Sequence, residues 1–381
     1  MKICLIALYS PYGDNPFTRL ADILSIFKPL TDEVVLIAPN LPETVKHFNR
    51  VRPINIKHTN HLHRMPSRVL RHLMVQLTIS WHLLRVSQQI DLVFWGISAH
   101  MLTIPMLVTK LLRKQTVLYL SFKSTEVLTR EFGAKGFLLP RIYQVLEKVS
   151  YALCDIIVAN STDILDQPQL IKYKRKAYPV ACPIRFIDTS LFKITRPMTQ
   201  RPKRVGFIGR LSEEKGVLNL IKAIPLVLEQ HNDIEFSIIG DGRQSEEMKE
   251  TIARDHLANR VKTIGWLPHA ELPRYLNEMQ LLVLPSFTEG LPTIALEAMA
   301  CGTPLLATPV GGVPELITDG ETGFIMADNS PQTIAQGIIR ALSYPGLEEI
   351  VSNAHSLIDK EYIYEATVER FKKLFAQLNM V

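Results

Sequence analysis

Uninterrupted apolar runs recur along this chain with amphipathic stretches between them, and the alternation occurs twice. KICLIALYS (2–10), VVLIAP (34–39), DLVFWG (91–96), TVLYLS (116–121) and DIIVANS (155–161) form the first set. The pattern restarts at KRVGFIGRL (203–211) and continues through FSIIGDG, VKTIGW, LLVLPS and TPLLATP. Strands apolar on both faces need helices above and below them, which is the situation of a parallel, doubly wound sheet. Two such series predict two Rossmann-like α/β domains facing across a cleft. The polar, proline-containing stretch KITRPMTQRPKR (193–204) reads as the linker. The expected domains are 1–195 and 196–365, with a helix over 366–381 that can cross back to the first. Phe371 and Leu374 fall on one face of that helix.

At 381 residues the chain exceeds one ordinary core, in keeping with two domains. With 47% hydrophobic and 21% charged residues it reads as a folded soluble protein. The four cysteines, Cys4, Cys154, Cys182 and Cys301, are scattered and suggest neither a disulfide framework nor a zinc site. A reducing cytoplasm fits them. The first apolar run is too short for a signal peptide, and no run approaches the roughly 18 apolar residues of a membrane span.

Charge is divided unevenly. Residues 1–200 hold 26 Lys and Arg against 13 Asp and Glu, whereas the remainder holds 17 against 24. A basic first half attracts an anionic partner: a phospholipid surface, a phosphorylated lipid or an acidic glycan. Nucleic acid is not expected, because no helix-turn-helix, zinc-finger or RNA-binding signature accompanies the charge.

The stretch SFTEGLPTIALEAMACGTPL (286–305) carries the chemistry. LLVLPS ends a strand, Pro292 to Cys301 reads as a helix with proline in its first turn, and Gly302 closes it. Ligands bind at the carboxyl ends of strands in such units, where helix N-termini offer free N–H groups to phosphate. Glu289 precedes the helix and Glu297 lies within it. The spacing alone also fits a dipole partner and a solvated mid-helix glutamate. The apolar surroundings of Glu297 argue against solvation, because an unpaired buried charge is costly and calls for a partner such as a ligand hydroxyl. GRLSEEKGV (209–217) sets Arg210 at a strand end and Lys215 in the turn before a helix. Such a pair suits a diphosphate, although by itself it also fits two surface cations. VGGVPELI (310–317) adds a glycine turn that allows close backbone approach.

Taken in order, GRLSEEKGV, IIGDG, VKTIGWLP, LPSFTEGLPTIALEAMACGTPLLATPVGGVPELI and ETGF resemble the retaining glycosyltransferases of the GT-B fold, specifically the large family 4 with its Glu-x7-Glu motif. The resemblance covers residues 203–326 strongly and the rest by layout. It implies that Glu289 reaches hydroxyls of the donor sugar and Glu297 those of the nucleotide's ribose. By the same resemblance, Arg210 and Lys215 are expected to stabilise the departing diphosphate. It likewise implies that Gly209 and backbone N–H groups of Gly290, Leu291 and Thr293, around Pro292, hold phosphate or sugar oxygens, and that the base lies near Ile264 and Leu267. It further implies a hexosyltransferase acting on a UDP- or GDP-sugar, with no metal or other cofactor required. The expected acceptor is lipid-linked or a glycan, and the basic first half leads us to expect a cytoplasmic enzyme held peripherally on the inner face of the cell membrane. A donor-binding inactive subunit of a glycan-assembly complex and a GT-B sugar-nucleotide epimerase are the alternatives.

The first half departs from the family pattern. Where many members carry a Gly-Gly turn, SPYGDNPFTRL offers only Gly13, beside Asp14, and the two fit either a loop lining the cleft or a plain β–α turn. Where many carry His-Gly, this chain has Ser121, Phe122, Lys123 and Ser124, with Glu126 nearby. HTNHLHR (58–64) counts as a histidine cluster, but its spacing fits no common metal site. In PSRVLRHLMVQLTISWHLLRV (66–86), Leu70, Leu73, Met74, Leu77, Trp81 and Leu84 line one helical face, flanked by Arg68, Arg71 and Arg85. Val75, Ile79 and Leu83 make the opposite side apolar, so packing on a core and contact with a membrane are both open.

Overall fold

The computed structural model describes residues 1–8, 16–56, 68–96, 99–121 and 138–378. The chain divides into two units: Met1–Arg185 with Thr367–Val381, and Phe186–Ala366.

The first unit is a six-stranded sheet with strands β1 (Lys2–Ile6), β2 (Glu33–Pro39), β3 (Val51–Ile56), β4 (Leu92–Trp95), β5 (Gln115–Leu120) and β6 (Ile156–Ala159). Their order is β3-β2-β1-β4-β5-β6, every pair parallel. The longer helices around it are α1 (Pro16–Phe27), α2 (Arg68–Val86), α3 (Thr103–Leu111) and α4 (Leu138–Leu153). The central strands are buried along their length because helices must cover both faces of a parallel sheet. Edge strand β3 is different: it contains Pro53 and most of its residues are half-buried, so it lacks the continuous apolar signature.

The two faces of α2 have different fates. Ile79 and Leu83 are buried in the core with Trp95 and Leu118. Leu77, Trp81 and Leu84 on the other stripe are about half exposed, and the Arg85 guanidinium lies 3.7 Å from the centre of the Trp81 ring. The side chains of Arg68 and Arg71 lie outside the described residues, as do Arg64 and the HTNHLHR histidines.

The second unit repeats the plan with β7 (Arg204–Ile208), β8 (Glu235–Ile239), β9 (Val261–Ile264), β10 (Leu281–Leu284), β11 (Leu305–Ala307) and β12 (Phe324–Ile325), ordered β12-β11-β10-β7-β8-β9 and again parallel. Its longer helices are α5 (Val217–Leu228), α6 (Ser245–Arg254), α7 (Thr293–Ala300), α8 (Pro331–Leu342) and α9 (Leu347–Glu361). In α5, Val217, Leu220, Ile221, Ile224 and Val227 are buried at helical spacing, forming an apolar stripe that packs on the sheet.

The boundary falls at Arg185, ahead of the polar stretch that suggested a linker. Ile187 and Phe192 are buried in the second unit's core. The polar stretch itself is fastened there: the Asn277 side-chain oxygen accepts from the Thr195 and Arg196 backbone N–H groups at 2.7 and 3.2 Å. The Arg201 guanidinium is buried and donates to the carbonyls of Leu276, Met279 and Cys301 and to the Thr303 hydroxyl. Sequence composition marked this segment as a spacer, but its cation has found a full set of acceptors inside the fold.

The last helix, α10 (Tyr364–Gln377), returns the chain to the first unit. Phe371 and Phe375 are fully buried there, their rings 5.9 and 5.5 Å from that of Phe27 on α1.

Candidate active site

Strands β7 and β10 are neighbours, but the chain leaves them toward opposite sides of the sheet, β7 toward β8 and β10 toward β11. Their carboxyl ends therefore mark the topological switch point, where loops diverge and leave a crevice. Arg210 and Lys215 follow β7, and Ser286 and Glu289 follow β10.

The two loops are laced together. Gly216 adopts a left-handed φ of +70°, and a Cβ there would come within 2.0 Å of the Pro285 carbonyl oxygen, so only glycine lets the Lys215 turn lie on the exit of β10. Phe287 N–H donates to the Glu214 carbonyl at 2.9 Å, and Asn329 Nδ2 donates to the Pro285 carbonyl at 3.1 Å. Held this way, Lys215 Nζ reaches Glu289 Oε1 at 2.7 Å. The same oxygen accepts from Ser286 Oγ at 2.7 Å. The Glu289 side chain is 8% exposed and that of Lys215 26%, so the pair is largely withdrawn from solvent yet open on the lysine side.

A third loop supports the acidic one. Gly312 N–H donates to the Gly290 carbonyl at 2.6 Å, and Gly311, with φ +59°, packs on the Glu289 carbonyl. The glycine turn seen in the sequence thus makes its close approach to the backbone of the glutamate loop. Leu291 and Pro292 are buried at the mouth of α7, and Thr293 begins the helix half-buried. The first-turn N–H groups of a helix lack intrahelical acceptors, which makes this end suited to an anion.

Glu297 lies within α7, flanked by the buried residues Ala295, Leu296, Ala298, Met299 and Ala300, and is itself 4% exposed. Its partner is His269: Nε2 stands 2.7 Å from Glu297 Oε1. The histidine comes from the turn after β9, and its ring lies 5.1 Å from that of Phe192. One turn further along α7, burial pushes the Cys301 thiol up to about 12, so it stays protonated and is no nucleophile at neutral pH.

The structure does not gather every expected residue. Arg210 is half exposed and bonds Glu214 at 3.4 Å, without a described contact to Lys215 or Glu289. Gly209, Ile264 and Leu267 are half-buried at the carboxyl ends of β7 and β9. Gly13, Asp14, Phe122, Lys123, Ser124 and Glu126 lie outside the described residues. Among the described residues no group of three or more His, Cys, Asp or Glu is placed to hold a metal ion.

Two contributors went unforeseen. Ser286 stands three residues before Glu289, a Ser-x-x-Glu spacing that could have indicated the bond. His269 carried no such signal, being one histidine in a polar turn far from Glu297 in sequence.

Residues 192–357 match the family described as Glycosyl transferases group 1. Over 182 residues, 44% of this chain and 45% of the relative, the sequence is 31% identical to the amylovoran biosynthesis glycosyltransferase AmsK of Erwinia amylovora. Over 175 residues it is 31% identical to the alpha-D-kanosaminyltransferase of Streptomyces kanamyceticus, covering 46% of this chain and 45% of that one. The chain thus spans about half the length of the relatives it matches. Solved structures cover nearly all of it. Anabaena Alr3699/HepE in complex with UDP superposes with a TM-score of 0.75 at 20% identity, covering 99% of this chain and 100% of that one. Sucrose-phosphate synthase from Thermosynechococcus elongatus gives 0.72 at 19%, covering 99% and 98%. This likeness shows the fold, the α/β arrangement of two six-stranded parallel sheets expected of GT-B proteins.

Proposed function

We propose that this protein is a retaining glycosyltransferase of family 4 that moves a hexosyl group (mannose, glucose or an N-acetylhexosamine) from a UDP- or GDP-sugar to a lipid-linked or glycan acceptor, needing no metal. The observation that carries the reading is the Lys215–Glu289 pair at the switch point of the second sheet, inside the stretch that matches the glycosyltransferase family. As the bond between the anomeric carbon and the β-phosphate oxygen breaks, negative charge builds on the diphosphate. A cation already in place stabilises that charge without reorganising. Lys215 and Arg210 take this role, and Glu289, released from the lysine, accepts hydroxyls of the sugar. Glu297 accepts from the ribose. The N–H groups of Gly290, Leu291 and Thr293, with Gly209, hold phosphate or sugar oxygens, and Pro292 has no N–H to give. Backbone near Ile264 and Leu267 meets the base. The acceptor oxygen attacks the face from which the diphosphate leaves, and its proton passes to the leaving phosphate.

In this reading the second unit binds the donor and the first, basic unit the acceptor. The UDP in the Anabaena relative favours UDP as the nucleotide. The half-exposed stripe of α2 and the positive charge of residues 1–200 support a peripheral place on the inner face of the membrane. Among the described residues no helix is long and apolar enough to cross one.

Incubating the full chain with UDP- and GDP-sugars and no acceptor tests the reading. Slow release of nucleoside diphosphate that survives chelator and is lost in Lys215→Ala is expected. Strict dependence on added divalent metal overturns the mechanism. Binding of donors without any hydrolysis favours an inactive donor-binding subunit.

A further inference from the structure

We propose that His269 is a positioning residue of the donor site, fixing the Glu297 carboxylate so that its remaining acceptor positions face a nucleotide's ribose hydroxyls. The inference rests on the donor-site reading above. Glu297 is 4% exposed on a helix whose neighbouring residues are apolar and buried. Among the described residues, His269 is the one side chain that bonds its carboxylate, at 2.7 Å. A carboxylate accepts only, so Nε2 carries the hydrogen. That bond occupies Oε1, and Oε2 is left to a ribose diol with its two donors.

The histidine is held from the other side as well. Its ring packs at 5.1 Å on Phe192, which is anchored in the second unit's core. It extends from the turn Pro268–Glu271 that follows β9, the strand end that the donor-site reading gives to the base. One hydrogen bond therefore couples the base loop to the ribose carboxylate. A carboxylate already oriented loses less rotational freedom when the nucleotide arrives, and pre-organisation of this kind appears as affinity.

The test measures equilibrium binding of UDP and GDP to the full chain, then of the 2′,3′-dideoxy form of whichever binds. Wild type, His269→Ala, His269→Gln and Glu297→Ala are compared. For His269→Ala, ribonucleotide affinity should fall roughly three- to tenfold while dideoxynucleotide affinity stays within about twofold, the scale of one lost hydrogen bond. His269→Gln, whose amide nitrogen can stand near Nε2, should restore most of the loss. The turnover number for donor hydrolysis at saturation should be unchanged, with the effect confined to KM. Equal weakening of both nucleotides by His269→Ala overturns the proposal, since it marks a general structural role. So does unchanged ribonucleotide binding in a protein whose Glu297→Ala variant no longer distinguishes the two forms. If His269→Ala does not fold, His269→Asn, whose amide is too short to reach Glu297, replaces it: a loss confined to the ribonucleotide supports the role, and equal weakening of both forms or no change in either overturns it. Should Glu297→Ala keep full discrimination, or neither diphosphate bind, the donor-site reading itself fails and this inference falls with it.

Discussion

A Cβ on Gly311 would lie 2.0 Å from the carbonyl oxygen of Glu289, and Gly311 holds a φ of +59°. The glycine turn and the glutamate loop therefore depend on each other. Gly311→Ala should lose activity as well as stability, because the glutamate backbone must shift to make room. Gly320→Ala is the control: its φ is +78°, but the nearest atom to a Cβ there is 3.6 Å away, at the Tyr344 hydroxyl. That variant bears the left-handed penalty of ~1–2 kcal/mol alone. Thermal unfolding should place Gly311→Ala clearly below Gly320→Ala, and only the former should lose donor turnover. Equal behaviour in the two would separate the turn from the site.

Lys215 and Glu289 form a largely buried pair, so removal of either leaves the other unbalanced. Glu289→Ala and Lys215→Ala should each lower turnover, and Glu297→Ala should act mainly on donor binding. A lost charge-assisted bond is worth ~1.5–3 kcal/mol, or roughly ten- to a hundredfold. Lys215→Arg should not restore full rate, because a planar fork does not replace a compact ammonium in this turn. Steady-state kinetics of donor hydrolysis decide the matter, and wild-type values in the three alanine variants would remove these residues from the site.

Arg201 sits among carbonyls instead of carboxylates, and all its donors point into the fold. Arg201→Met should destabilise the second unit by about 3 kcal/mol, the upper range for breaking a buried hydrogen-bond network. Urea titration followed by fluorescence would report it. Arg201→Lys should fare little better, since one ammonium cannot span the Leu276, Met279 and Cys301 carbonyls. A midpoint unchanged from wild type would show that the segment is a loose spacer after all.

The outward stripe of α2 makes its own forecast. The 381-residue chain should co-sediment with anionic vesicles and not with neutral ones, and salt should release it. Each basic residue near such a surface contributes ~1 kcal/mol. Leu77→Ser, Trp81→Ser and Leu84→Ser combined should weaken the association while donor binding in the second unit stays intact. Vesicle binding indifferent to lipid charge and to these changes would direct the basic surface to a soluble acidic acceptor.

What could be read from the sequence follows the physics of burial. Strands β1, β2, β4, β5 and β6 show as apolar runs because both their faces are covered. Strand β3, with Pro53 and a half-buried pattern, and β12, two residues long around the buried Phe324, form no continuous apolar run, and neither announces itself. Glu297 was legible as a charge in apolar company, but its partner was not. The contact with His269 spans 28 positions and exists only once β9 and α7 are placed in one sheet and its cover. Arg201 misled for the same reason, since a lone cation between prolines looks solvated until the carbonyls that receive it are known.

The return of α10 makes the first unit discontinuous and the second an uninterrupted cassette. Near the ends of that cassette the chain meets itself: Ile187 N–H donates to the Tyr362 carbonyl at 2.8 Å, and the rings of Phe186 and Tyr364 are 5.2 Å apart. An excised fragment should therefore run from 186 to 366, where its termini already lie side by side and tolerate ligation or permutation. A fragment of the other unit that stops at 185 leaves Phe27 facing the space that Phe371 and Phe375 fill. Supplied as a separate peptide, the segment from 367 onward should bind that core as a ligand, with the first unit acting as its receptor.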